Sequence, residues 1–527
     1  MASESSFKLT YATMFNPPEE LHQRFEQALA KIRANLGQEY AMIIDGKEVL
    51  AAEKLENRNP ANVDEVLAIF QKGTANDANA AVAAARRAFK SWSRTPWQER
   101  VRLIRKAAEI MDERTYEMGA VVSLEVGKNR MEGLGDVAET ADLMRYSCGR
   151  MEANNGFITE MGRDPLEGYV STNVSILRPY GVWLIISPFN FPAALMGGPT
   201  GAALVSGNTI VMKPATDTPW TARLIAECLR DAGVPDGVFN FITGPGSTVG
   251  QALIDNPEVD GITFTGSFDV GMKIHQDFGS GNYVRPTILE LGGKNPTIIT
   301  KNADLDIACL GLVRSAFGLQ GQKCSAGSRI FIEEPVYDAL IKKLVDATNK
   351  YVVGNPTDRN VNMGPVVNKN SYADFKGFCE ELNDAGNILT GGKVLTEGQY
   401  SKGFFCAPTI AELPYSHRLW KHEMFVPITT VGKFSDLEEA MRMANDVNYG
   451  LTAGFYGSDK EADWFFENIE AGVTYANRPQ GATTGAWPGF QPFGGWKGSG
   501  SSGKNAGGLH YVQLYMHEQI HTRVKKI

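Results

Sequence analysis

Three residues in this chain have side chains suited to covalent chemistry at a carbonyl carbon: Cys324, Glu290 and Asn190. Cys324 lies in FGLQGQKCSAGSR (residues 317–329), among small and polar residues rather than in an apolar run. Gly318, Gly321 and Gly327 around it let the backbone approach a ligand closely. A thiol becomes a useful nucleophile when a positive neighbour or backbone N–H groups stabilise its thiolate, and Lys323 is adjacent in sequence. Taken singly, a cysteine is more often a small buried apolar group. Its company upstream shifts that balance. Glu290 stands in LELGGK, 34 positions before the thiol and just ahead of Gly292 and Gly293. Asn190 occupies the Pro-bounded turn SPFNFP. A Cys324 thiolate could attack an aldehyde carbon, with the Asn190 amide and the Cys324 backbone N–H donating to the resulting oxyanion. Each good donor there contributes about 3–4 kcal/mol. An acyl group left on the thiol would need an activated water to release it, and Glu290 could supply that activation.

The elements that must position these groups follow from hydrophobic periodicity. Residues 17–36 read as a first amphipathic helix outside the pattern that follows. Residues 74–92, 95–118 (opened by a Thr-Pro cap) and 124–151 read as further helices. From Val182 the pattern changes to short apolar runs (182–186, 209–212, 238–242 and 261–265). Helices are expected between them near 193–206, 219–232 and 248–256. That alternation predicts a parallel, doubly wound sheet. A second alternating block runs from 303 to about 471, with strands at 328–333, 426–434 and 452–456. Its helices are expected at 335–352, 372–384, 437–445 and 460–469. Residues 479–508 form a long Gly-, Ser-, Pro- and Trp-rich loop. The apolar alternation of LHYVQLYMHEQIH (509–521) predicts a closing strand.

Composition narrows the possible functions. A chain of 527 residues exceeds one ordinary core, so two or more domains are expected. With 43% hydrophobic and 21% charged residues it reads as globular. A net charge of −8 without a basic face argues against a nucleic-acid partner. The six cysteines (148, 228, 309, 324, 379 and 406) form neither a CxxC pair nor a disulfide framework. The histidines form no HExxH, so no metal site is expected. MASESSFKLT lacks an apolar core, so no secretory signal is expected and a cytoplasmic location is. No charge occurs between Arg178 and Lys213, a stretch long enough to span a bilayer. Its Pro188, Asn190, Pro192 and Pro199 favour a buried strand, a turn and a buried helix, and no membrane association is expected.

Two glycine-rich segments follow strands and open helices. In Gly244–Gly250 the spacing is one residue longer than GxGxxG, so a structural turn is the better reading. Gly266–Gly271 is evenly balanced between a turn and a pyrophosphate cradle. Residues 498–505 imitate GxxxxGK[ST], but Asn505 replaces the Mg²⁺-binding hydroxyl and no buried strand precedes, which argues against phosphate hydrolysis.

In combination, SPFNFP, LELGGKNP and GQKCSAGSR closely resemble the aldehyde dehydrogenase superfamily over roughly residues 40 to 520. KPAT, FTGS, EMFVP and PFGGWKGSG support the match. SPFNF, GQKCSA, the TGA before PFGG, and EVGKN followed by a helix with Glu139 look most like the 1-pyrroline-5-carboxylate dehydrogenases. The resemblance implies an α/β fold with a Rossmann-type cofactor domain (1–155 and 178–292) and an α/β catalytic domain (293–495). A small β oligomerisation element (156–177 and 505–527) would make a homodimer or higher oligomer. It implies NAD(P)-dependent oxidation of L-glutamate γ-semialdehyde in proline catabolism, with Cys324, Glu290 and Asn190 catalytic. The cofactor set would be Ile186, Lys213, Thr216, Gly246, Gly266, Ser267, Glu423 and Phe425. For the substrate, Glu139 would meet the amine, Ser325, Gly485 and Ala486 the carboxylate, and Phe191 and Phe493 the methylene chain.

The sequence also departs from that subfamily. Residues 478–494 are about three positions longer than its substrate-anchoring loop and carry a bulky Trp487, which leaves another aliphatic or aromatic aldehyde as an alternative. Val426 replaces a usual glycine, crowding the cofactor's ribose region. Thr216 stands where many NAD-selective members have a glutamate. NAD is favoured by the resemblance, but nothing there repels the 2′-phosphate of NADP. Two rivals are weaker. A cofactor-independent cysteine hydrolase leaves Lys213 and Glu423 unexplained, and a silent scaffold has no need of Cys324 or Glu290.

Overall fold

The structure is a computed structural model and describes residues 7–11, 13, 14, 16–479 and 487–527. The apolar runs become strands covered on both faces, as parallel sheets flanked by helices require. Every residue of Thr209–Lys213, Gly261–Thr265 and Asn295–Ile299 is buried. A first sheet has the order Thr287–Glu290, Gly261–Thr265, Val182–Ile186, Thr209–Lys213, Phe239–Phe241, Met42–Ile44, Lys47–Val49. Its first five strands are parallel, Met42–Ile44 pairs antiparallel with Phe239–Phe241, and Lys47–Val49 pairs antiparallel with Met42–Ile44. Chain order runs outward in both directions from Val182–Ile186, which creates a topological switch point. Ligands of open α/β sheets bind at such a crevice, outside the carboxyl ends of the strands.

A second sheet has the order Asn387–Thr390, Thr409–Glu412, Ile428–Phe434, Gly327–Glu333, Asn295–Ile299, Thr452–Tyr456, Val473–Ala476. It is parallel apart from the Asn387–Thr390 edge. The α/β expectation therefore holds. The uncharged stretch resolves into the strand Val182–Ile186, the buried helix Ala194–Ser206 and the strand Thr209–Lys213. Among the described residues, no helix is long and apolar enough to cross a membrane.

Several expected boundaries move. The helix expected over 95–118 divides into Trp97–Glu113 and Thr115–Val126 at Arg114. The one expected over 124–151 begins only at Arg130, because Gly127 adopts φ 85° and ends the preceding helix. Asn129 then caps the helix Arg130–Ala153, accepting from Met131 N (3.1 Å) and Glu132 N (3.0 Å). Residues 38–71, for which no strands were expected, contain five strands, the last of them the ten-residue Asn62–Gln71. In the expected closing strand, residues 509–515 are turns and a 3-10 helix instead. Tyr511 and Tyr515 both turn inward there and share a 2.9 Å hydroxyl contact. The strand is Met516–Lys526, paired antiparallel with Tyr169–Pro179, which also holds Ile158–Glu160.

Candidate active site

The carboxyl ends of the first sheet's parallel strands present most of the sequence-derived cofactor and base residues. Ile186, Lys213 and Glu290 are the last residues of their strands, and Gly266 directly follows Gly261–Thr265. Ser267 is the N-cap of the helix Phe268–Gly279, and its side chain makes no capping hydrogen bond. The helix therefore presents backbone N–H groups toward the crevice. At Gly246 an added Cβ would meet nothing within 4 Å, so open space adjoins this backbone. Lys213 is buried, and its ammonium donates to the Pro214 carbonyl (3.0 Å). Burial lowers it to about 8. A buried cation with a carbonyl as its partner, a free helix N-terminus and an open glycine cradle together fit a dinucleotide. Thr216 is exposed. The neighbouring Asp217 carboxylate accepts from Asn368 Nδ2 (2.9 Å). Within the segment 244–250, Gly246–Gly250 forms a single π turn, and the segment imitating a P-loop is fastened to the strand carrying Glu290. Ser501 Oγ accepts from Leu289 N (2.9 Å), and Gly500 bridges Glu290.

Cys324 comes from the other sheet, on the loop between the helix Leu305–Phe317 and the strand Gly327–Glu333. Three successive left-handed residues shape that loop: Leu319 (φ 53°), Gln320 (φ 57°) and Gly321 (φ 66°). At Gly321 an added Cβ would lie 2.4 Å from the Val426 carbonyl, so only glycine fits. The loop is then tied down on several sides. Asn190 Nδ2 donates to the Gln322 carbonyl (2.9 Å), and Val367 N donates to Gln322 Oε1 (3.0 Å). Asn295 Nδ2 donates to the carbonyls of Cys324 (2.7 Å) and Ala326 (2.8 Å).

The glycines after Glu290 allow the two sheets to close on each other. A Cβ on Gly293 would lie 2.3 Å from the Cys324 carbonyl oxygen, and one on Gly292 2.2 Å from Glu423 Oε2. Gly293 N donates to Glu423 Oε1 (2.7 Å), which fixes the Glu423 carboxylate beside the thiol loop. Phe425, at φ 55°, meets Phe189 edge-on at 5.8 Å.

Cys324 and Glu290 line one cavity of about 540 Å³, and so do Glu139, Phe191, Ser325 and Phe493. Gly485 and Ala486 lie outside the described residues. Burial raises the Cys324 thiol strongly, reinforced by Glu423 and Glu290 and opposed by the N–H groups of Ser325 and Cys324. Adjacent Lys323 is itself buried and lowered to about 8. Glu290 Oε2 is buried without a hydrogen-bond partner, and burial pushes this carboxyl up to about 8. A carboxylate that titrates near neutrality inside a cavity has the properties of a general base. Glu139 is also pushed up to about 8, by burial and then by the charge of Asp136. An ammonium arriving in the cavity would bring it down again.

Other residues shaping the cavity carried little signal in the sequence. The Lys128 ammonium sits 3.8 Å over the Phe191 ring and 3.0 Å from Asp136, with both charged side chains fully buried. Asp136 also accepts from Ala194 N (2.9 Å), so one carboxylate orients the turn bearing Asn190 and Phe191. Lys128 lies in EVGKN, but its spacing gave no hint of the contact with Phe191. Tyr11 reaches Glu139 across 128 positions, which no local pattern could reveal.

Residues 49–520 match the model of the aldehyde dehydrogenase family. The 1-pyrroline-5-carboxylate dehydrogenase of Geobacillus sp. is 39% identical over 498 residues, covering 93% of this chain and 94% of that protein. The structure of the Thermus 1-pyrroline-5-carboxylate dehydrogenase with bound NAD superposes with a TM-score of 0.92 at 34% identity, over the whole of both chains. Betaine aldehyde dehydrogenase of Staphylococcus aureus in complex with NAD+ superposes with a TM-score of 0.86 at 29% identity, covering 95% of this chain and 97% of that one.

Proposed function

The chain belongs to the aldehyde dehydrogenase family, and from that premise we propose that it oxidises L-glutamate γ-semialdehyde to glutamate with NAD, in proline catabolism. The observation that carries the substrate reading is Glu139, a buried carboxylate on the wall of the cavity that also holds Cys324. Such a group suits a substrate bearing an ammonium at the end remote from its aldehyde. The likeness to 1-pyrroline-5-carboxylate dehydrogenases supports the same substrate.

In this reading the Cys324 thiolate adds to the aldehyde carbon, and the carbonyl oxygen becomes an oxyanion. The Asn190 amide and the Cys324 N–H donate to that oxygen. NAD, when bound, supplies the acceptor for the hydride, and the adduct becomes a thioester on Cys324. Glu290 takes a proton from the attacking water, the carbon–sulfur bond breaks, and the carboxylate product leaves with the thiolate regenerated. Lys213 and Glu423 hold ribose hydroxyls, while Gly246, Gly266, Ser267 and the N-terminus of Phe268–Gly279 receive the pyrophosphate. Ile186, Thr216 and Phe425 complete the cofactor's surroundings. Ser325, Gly485 and Ala486 receive the substrate carboxylate, and Phe191 and Phe493 flank its methylene chain. We assign cofactor binding to 1–155 and 178–292, catalysis to 293–495, and oligomerisation to 156–177 with 505–527. The assay that tests this function follows formation of reduced cofactor with a panel of aldehydes and with NAD or NADP. Preference for L-glutamate γ-semialdehyde with NAD supports it, and preference for a simple aldehyde contradicts it.

A further inference from the structure

One wall of the aldehyde cavity comes from the chain's N-terminal segment. The Tyr11 hydroxyl donates to Glu139 Oε2 at 2.9 Å, and the residue is only 6% exposed. Its ring meets Trp487 edge-on at 5.6 Å and Phe191 at 6.5 Å. The Trp487 indole N–H donates to Asp142 Oδ2 (2.8 Å), and the Lys8 ammonium reaches the same oxygen (2.8 Å). Glu139 and Asp142 are three residues apart, on one face of the helix Arg130–Ala153. The N-terminal segment and the Trp487 segment therefore meet over that face. The helix is notched to receive them: a Cβ on Gly135 would lie 2.8 Å from Tyr11 Cε1.

A buried tyrosine hydroxyl needs a hydrogen-bond partner, and here the partner is a carboxylate on the wall of the cavity that Tyr11 shares with Cys324. Burial and the charges of Glu139, Asp136 and Glu132 raise the phenol far above its usual range, so it stays protonated and donates. A hydroxyl that donates one hydrogen bond keeps lone pairs with which to accept others.

We propose that Tyr11 is a specificity-determining residue of the aldehyde site, its hydroxyl oxygen and the Glu139 carboxylate together receiving the substrate's ammonium group. The ammonium has three N–H donors, and one oxygen of the Glu139 carboxylate already accepts from Tyr11, so an acceptor next to it has a role. The Tyr11 oxygen supplies a further acceptor, while its own hydrogen remains donated to Glu139. An aldehyde lacking the amine has nothing to offer this pair. The inference rests on the proposed substrate and adds a residue that the motifs of the sequence do not mark.

The test compares purified full-length wild type with Tyr11→Phe on L-glutamate γ-semialdehyde and on 5-oxopentanoate, the same carbon chain without the amine. The ring and its packing survive in Tyr11→Phe, so only the hydroxyl is removed. A loss of roughly 5- to 30-fold in kcat/KM is expected on the amine-bearing aldehyde, mostly through KM, with less than about 2-fold on 5-oxopentanoate. Equal losses on both aldehydes, or none on either, with wild type active on glutamate semialdehyde, overturn the role of Tyr11 alone. A wild type that ignores glutamate semialdehyde overturns the substrate reading, and this inference with it.

Discussion

The side-chain amide of Asn190 donates to the carbonyl of Gln322 across 2.9 Å, two residues before Cys324. This bond joins the turn after the strand Val182–Ile186 to the loop carrying the thiol. One amide N–H is thus used in positioning, and the proposed mechanism assigns the second to the oxyanion. Asn190→Ala should lower kcat roughly 100- to 1000-fold, the usual cost of losing one oxyanion donor. Steady-state kinetics with saturating aldehyde and NAD check this, and a loss below about 5-fold would assign Asn190 to loop positioning alone.

Cys324→Ala should abolish oxidation and leave NAD binding nearly intact, since the thiol bonds the substrate and not the nucleotide. Fluorescence titration with NAD and the absorbance assay on one preparation separate the two effects. Residual turnover above a few per cent of wild type would remove Cys324 from the nucleophile's role.

Glu290→Gln has a pH signature in both activity and stability. With the wild-type carboxyl at about 8, thioester hydrolysis should rise with pH through that region as the base form appears, and the variant should lack that rise. The stability effect has the opposite sign. A carboxyl raised in the folded state keeps its proton while the unfolded chain loses it. Its contribution is therefore full below the ordinary carboxylate range and is lost as pH climbs toward 8. Thermal melts should show Glu290→Gln gaining on wild type between pH 5 and pH 8.5. Parallel melting curves across that range would contradict the buried-acid account.

Which parts of this site were legible in the sequence depended on distance along the chain. Asn190, Glu290 and Cys324 each sit in a short motif whose glycines and prolines are explained by close approaches, such as Gly293 against the Cys324 carbonyl. Strands such as Thr209–Lys213 and Gly261–Thr265 were legible because burial on two faces leaves an apolar run, whereas Thr287–Glu290, Asn295–Ile299, Asn387–Thr390, Thr409–Glu412 and Val473–Ala476 were not read as strands. Lys128 over Phe191, Asn295 on the Cys324 carbonyl and Tyr11 on Glu139 were not, since each joins elements that only the tertiary fold brings together. Of the strands between 38 and 71, Gln38–Tyr40, Met42–Ile44 and Lys47–Val49 escaped notice because each has three residues, while the longer Lys54–Asn59 and Asn62–Gln71 carry polar residues that hide their pattern. The stretch 509–521 misled because Tyr511 and Tyr515 are spaced for a helical turn while imitating a strand's alternation.

Glu139→Ala should leave an ammonium unpaired in a dry pocket, at a cost of about 1–3 kcal/mol. That corresponds to a loss of roughly 5- to 150-fold in kcat/KM for L-glutamate γ-semialdehyde. Propanal, which has no amine, should hardly be affected. Equal losses on both would reassign Glu139 to holding the helix and the N-terminal segment together.

The sheet of Ile158–Glu160, Tyr169–Pro179 and Met516–Lys526 exposes Ile158, Tyr169, Val170, Ile520 and Val524. An apolar, exposed outer strand is an edge that natural proteins cover. Light scattering at micromolar concentration should report a dimer or larger particle, and a 57.5 kDa particle would contradict this.

The central claim is a covalent acyl-enzyme on Cys324 that Glu290 resolves. Its most direct test is mass spectrometry of Glu290→Gln, acid-quenched after one turnover with L-glutamate γ-semialdehyde and NAD. A burst of reduced nicotinamide is expected, matched one for one by a glutamyl thioester on the Cys324 peptide. A burst with no mass added to that peptide, or steady turnover without a burst, would contradict it.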